Sequence, residues 1–165
     1  MSQSDGDFLR GLDAADRCVR QGCRKAMEVV GLQILDDSIN QEPRIPHDKG
    51  WLQSSGSAFV NDALVGTSSQ VGDKATPVGD KATPATELHT GVGADDVMGT
   101  VGFNVPYAAH QHEGQRADGS HVVTEYSKSD GRGPKFVETK VFGNAQQYLR
   151  MFARLVRKVL GSGHV

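Results

Sequence analysis

Residues 71–84 are one seven-residue unit written twice, Val71-Gly-Asp-Lys-Ala-Thr-Pro77 and Val78-Gly-Asp-Lys-Ala-Thr-Pro84. Two copies of so short a unit build no solenoid, which needs at least three larger repeats. From 66 to about 91 the chain is Gly, Ser, Thr, Asp, Lys and Pro without apolar periodicity, and Val71, Val78 and Leu88 stand isolated within it. The segment reads as a flexible insertion with no core of its own. The core must therefore come from the apolar patterns on either side. At 165 residues that makes one ordinary domain and not two.

Upstream, Phe8, Leu12, Ala15, Val19, Ala26, Val30 and Ile34 recur at helical spacing, with Asp, Arg and Lys between them. This predicts a long amphipathic helix, capped by Ser4 or Asp5, weakened or bent at Gly22 and Gly31, and ended before Pro43. Cys18 and Cys23 lack the Cys-x-x-Cys spacing of a redox pair and read as small, buried or half-buried residues. Residues 41–56 form a proline-punctuated turn running into a short strand or helical turn. Residues 57–65 read as a strand.

Downstream, Val101, Phe103 and Val105 alternate, predicting a strand that runs into a Pro106-Tyr107 turn. Asp118-Gly119 is a hairpin-turn dipeptide, and His121 to Tyr126 is the expected returning strand. Pro134 leads Phe136 back to the body. Asn144 is placed to cap a final helix whose stripe is Leu149, Phe152, Val156 and Val159 or Leu160, closed by Gly161. The fold class expected is α+β: a long N-terminal helix, a small antiparallel sheet with an extended hairpin arm at 113–133, and a C-terminal helix. Phe103, Phe136 and Phe152 are its expected core anchors.

Charge excludes some functions. Eighteen basic and twenty acidic residues give a net charge of -2, which argues against wholesale nucleic-acid binding. The charge is unevenly spread: -2 over residues 1–37, -6 over 38–131 and +6 over 132–165. An acidic middle and a basic tail suit self-association or a partner. No run approaches the roughly 20 apolar residues of a membrane span. The opening Met1-Ser2-Gln3-Ser4-Asp5 has no signal-peptide character, and two cysteines suggest a reducing compartment.

Chemistry-bearing motifs are few. His110 and His112, two apart on a strand, would share a face and could bind one metal with Glu113 or His121. No His-Glu-x-x-His spacing and no Cys or Asp cluster supports them. Ser54-Ser55-Gly56 is no nucleophile elbow, and Gly91-Val92-Gly93 lacks the βαβ context of a dinucleotide site. No catalytic residue, metal or cofactor is expected.

Three pieces in order carry a resemblance. They are Ile45-Pro46-His47-Asp48-Lys49-Gly50-Trp51-Leu52-Gln53-Ser54-Ser55, then Val101-Gly102-Phe103-Asn104-Val105-Pro106-Tyr107-Ala108 with His112-Glu113-Gly114, then Gly133-Pro134-Lys135-Phe136-Val137-Glu138 before a terminal helix. Together they resemble the minor capsid and tail-completion proteins of long-tailed double-stranded DNA bacteriophages. Trp51 stands where that family often has a small polar residue, and the repeat is an addition. The resemblance implies a structural virion protein at the head–tail junction, made in the host cytoplasm, and not an enzyme. It implies a homo-oligomeric ring between the portal-side connector and the tail tube, with DNA passing through the lumen unread and no membrane partner. Trp51, Tyr107, Val122, Val123 and Tyr126 are then the candidate inter-subunit contacts. Two other readings are a tail-terminating factor that caps tube growth and a metal-dependent hydrolase using His110 and His112.

Overall fold

The computed structural model describes residues 3–46, 50–71, 83–93, 95–121 and 131–161. The chain is α+β. Helix α1 (Gln3–Asn40) and the one-turn helix α2 (Trp51–Ser54) precede strands β1 (Gly56–Val60), β2 (Ala63–Thr67) and β3 (Gly99–Phe103). A short helix α3 (Ala108–Glu113), a second short helix (Glu138–Gly143) and the C-terminal helix (Ala145–Gly161) follow. The sheet is antiparallel in the order β2-β1-β3. Its central strand β1 is buried throughout.

Helix α1 lies between the sheet and the C-terminal helix. Its second half meets the sheet where Gly31 approaches Ala58 and Met27 approaches Gly99. A different face meets the C-terminal helix at Gly22, where an added Cβ would sit 3.5 Å from the Val159 side chain. The helices come close there because glycine has no Cβ to hold them apart. Gly22 and Gly31, expected as points of weakness, lie within an unbroken α1 and are contact positions.

The apolar core is Leu35, Ile39, Ile45, Leu52, Ala58, Val105 and Phe136. Phe103 meets the Phe136 ring edge to face at 5.5 Å, a favoured aromatic geometry. The expected α1 stripe is only half covered. Ala26 and Val30 are buried, whereas Phe8, Leu12 and Val19 are exposed. The helix is also under way at Gln3, so neither Ser4 nor Asp5 caps it. Cys18 is exposed and Cys23 half-buried.

Other expectations need correction. Residues 57–65 are not one strand. They are the β1–β2 hairpin, turned by Asn61 and Asp62 at φ 47° and 65°. Two successive residues in the left-handed region match the right-handed twist of paired strands, and Asn and Asp tolerate that region better than most. The Asp62 carboxylate then accepts from the Thr90 amide (3.0 Å) and hydroxyl (2.6 Å). That holds the Asp62 carboxyl below the usual aspartate range, the hydroxyl contributing most. The expected insertion is consequently smaller than 66–91. Gly66 and Thr67 belong to β2, Val71 packs on the core, and Asn104 donates to the Thr83 carbonyl at 3.2 Å. On the C-terminal helix Tyr148 is the buried residue and Leu149 is exposed, so the expected stripe is rotated.

Candidate functional site

The residues that flank the expected arm are α3 on one side and Gly131–Phe136 on the other, and 122–130 between them lie outside the described residues. After Phe103 the chain turns through Pro106 and Tyr107, as expected, but into α3 and not into a strand carrying His110 and His112. Pro106 cannot donate to a ladder, and a fixed φ near −65° suits the approach to a helix. His110 and His112 therefore sit on a helix, about 200° apart around its axis, and do not share a face. His110 is exposed. His112 turns inward, its ring 5.0 Å from Phe136. Among the described residues no group of three or more His, Cys, Asp or Glu is placed to hold a metal.

Beyond α3, Gly114 closes the helix and the Asp118-Gly119 turn follows. Gly119 adopts φ 80°, a conformation glycine takes without steric cost, and the Asp118 carboxylate accepts from the Ser120 amide (2.9 Å) and hydroxyl (2.6 Å). Gln115 bridges His121 across the turn. Val122, Val123 and Tyr126 lie outside the described residues. Where the description resumes, the Arg44 amide donates to Gly131 (2.8 Å) and Gly133 donates to Arg44 (3.0 Å). The Arg132 guanidinium caps the Ile45 carbonyl at 2.8 Å.

A charged clasp ties the two roots together. The Lys135 amide donates to the His112 carbonyl at 2.6 Å, and its ammonium lies 2.6 Å from Glu113 and 2.8 Å from Glu138. His112 Nδ1 lies 3.1 Å from Glu113, and Nε2 accepts from the Glu138 amide at 3.4 Å. With Nε2 accepting, the neutral ring carries its proton on Nδ1 and donates it to Glu113. These contacts hold Lys135 at φ 58°, a costly conformation for a lysine. The Lys135 ammonium, then the His112 ring, hold the Glu113 carboxyl below the usual glutamate range. Glu113, then Glu138, push Lys135 up.

The pH consequence has a definite sign. Because folding lowers the Glu113 pKa, its stabilising contribution is present above the unfolded value of about 4.3 and is lost as pH falls through the folded value. The groups are exposed, so the contribution is small. Carboxyl NMR titration should show Glu113 ionising below the ordinary range and returning to it in Lys135→Met. A Glu113 that titrates normally in the wild-type protein would mean that the clasp is open in solution.

The other expected contact and anchor residues are dispersed. Trp51 opens α2, half-buried, and Tyr107 is 36% exposed just before α3. Phe103 is half-buried against Phe136, which is 1% exposed, and Phe152 is half-buried between α1 and solvent.

A second constellation was not expected. Asp37, 1% exposed, accepts from Gln33 (2.8 Å), Gln41 (2.6 Å), the Tyr148 hydroxyl (2.6 Å) and, at 3.4 Å, Asn144. Asn144 spends its side chain there and on Gln41, not on capping the helix that follows. Burial, then the bond to Asp37, push the Tyr148 hydroxyl above its usual range. Nearby, Lys140 is 2% exposed and donates to the Pro43 carbonyl at 3.1 Å. Burial pulls its ammonium below the usual lysine range, against the opposing pull of Asp37 and Glu42. The available signal was an aspartate in register with Ala26 and Val30 on the apolar face. This network ties the C-terminal helix to α1.

No family model, curated protein or solved structure matches this chain.

Proposed function

We propose that this chain is a structural subunit of the head–tail junction of a double-stranded DNA bacteriophage, forming a ring between the portal-side connector and the tail tube. One observation carries the reading. Residues 114–121 run on from α3 as a turn-centred, mostly exposed stretch, and the described residues on either side of 122–130 are fastened to the body. An exposed turn beside the α3 root and next to the exposed Tyr107 suits contact with a neighbouring subunit, where a polar, Gly-containing stretch gains partners on assembly. The order of the three motif pieces agrees with this reading, and Tyr107 at the arm's base lies exposed for such a contact. The location proposed is the virion. No helix among the described residues is long and apolar enough to cross a membrane.

The test removes the arm and keeps its roots. Deleting residues 116–130 and joining the ends with two glycines should leave a folded, soluble protein with thermal stability close to wild type. In particles that depend on this chain, it should fail to join heads to tails. Full joining activity in the shortened protein would defeat the inter-subunit role. Gold-labelled wild-type protein should appear at the neck, and label spread over the shell would defeat the location.

A further inference from the structure

The face of α1 that the C-terminal helix covers continues beyond it, bare. The overlap is antiparallel: Tyr148 lies at Asp37 and Val159 at Gly22. The covering helix then ends at Gly161, at the last described residue. Upstream of Gly22 the same helical register places Val19, Ala15, Leu12 and Phe8 on the continuing stripe, at steps of three and four. Val19 is 43%, Leu12 51% and Phe8 67% exposed. At 1.5 Å per residue, residues 3–19 make a projection about 25 Å long. A helix with an apolar stripe of that length ordinarily lies against another element.

The C-terminal helix has a second surface that could receive it. Leu149 and Leu160, 60% and 42% exposed, stand eleven residues apart, each one position on from a residue that meets α1, and so on a flank about 100° round the helix from that contact. Three turns of helix separate them, so they share a face. Beside them, on the side turned away from α1, stand the exposed Arg150, Arg154 and Arg157, and the helix has no acidic residue. The projection is opposite in sign, with four aspartates against two arginines over residues 3–19.

We propose that the projecting first half of α1 docks on the outer flank of the C-terminal helix in a second copy of this chain, head to tail. Charge decides the occupant. Two projections facing each other would bring together like net charges, whereas the basic flank attracts an acidic helix and offers leucines for its stripe. The contact joins two different patches, so its repetition closes into a ring or runs on as an open chain. It deepens the ring reading and rests on it, while its geometry comes from a surface separate from the arm.

The experiment uses the full chain and two variants at exposed positions, Leu12→Asp and Leu149→Asp, with circular dichroism confirming that each is folded. In sedimentation equilibrium at low ionic strength, wild type should associate with increasing concentration. Each variant alone should associate at least about 30-fold more weakly, the scale of losing a hot-spot residue. An equimolar mixture should recover a one-to-one dimer, because each variant keeps the patch the other has lost. Raising the salt should weaken all of this association. A mixture no more associated than its components would mark pairing of like faces and overturn the proposal. So would variants that associate as wild type does, or a wild type that stays monomeric. Any of these results would leave the neck location standing, since particle labelling tests that separately.

Discussion

Replacing Phe136 with alanine is expected to lower the free energy of unfolding by about 3–5 kcal/mol, the range for truncating a buried phenylalanine. The ring is 1% exposed, belongs to the main apolar cluster, and is met edge-on by both Phe103 and His112. Truncation removes the only apolar side chain that the returning arm root buries fully in the core among the described residues. Two ring partners would then line a cavity. The Lys135 clasp would also lose its anchor one residue away, so the arm root should loosen with the core. Urea melts of wild type and Phe136→Ala measure the difference, and Phe136→Leu should recover more than half of it. A loss below about 1 kcal/mol would mean that the arm root is not docked as described.

Asp37→Ala is expected to cost roughly 2–4 kcal/mol, for a different reason. It leaves the buried Tyr148 hydroxyl and the half-buried Gln33 without their acceptor, while the exposed Gln41 can turn to water, and it strips Lys140 of a nearby negative charge. Unmade hydrogen bonds in such a place cost more than made ones contribute. Tyr148→Phe removes one donor and leaves three, so its cost should be a fraction of that, about 1–2 kcal/mol. The ratio of the two losses is the informative quantity. Equal losses would mean that the carboxylate acts through Tyr148 alone.

The parts of the fold legible in the sequence were those set by local periodicity. Helix α1 and its end before Pro43 follow from apolar spacing and backbone geometry, as does the C-terminal helix. Periodicity reports a helix but not what covers it, and so Phe8, Leu12 and Leu149 read as core while lying exposed. The Asn61-Asp62 turn was missed because it contains no glycine. Helix α3 was missed because six residues give too little periodicity to separate it from a strand. The Asp118-Gly119 turn and the buried return at Phe136 could be read from a dipeptide and from a proline followed by an aromatic. Asp37 could not. Two of its four donors lie more than a hundred residues away, and no local pattern announces them.

That distance also sets a timetable. Tyr148 and Asp37 are separated by 111 positions, and a ribosome adds roughly 5–20 residues per second. The covered half of α1 is therefore complete about 5–20 s before the helix that shields it exists. Collapse of a chain this size takes microseconds, so the wait is set by synthesis and not by search. Until it is made, the stripe of α1 that carries Ala26 and Val30 has no covering helix. The helix that shields α1 is made about a hundred residues after it, and a message truncated before residue 145 would release a chain unable to close.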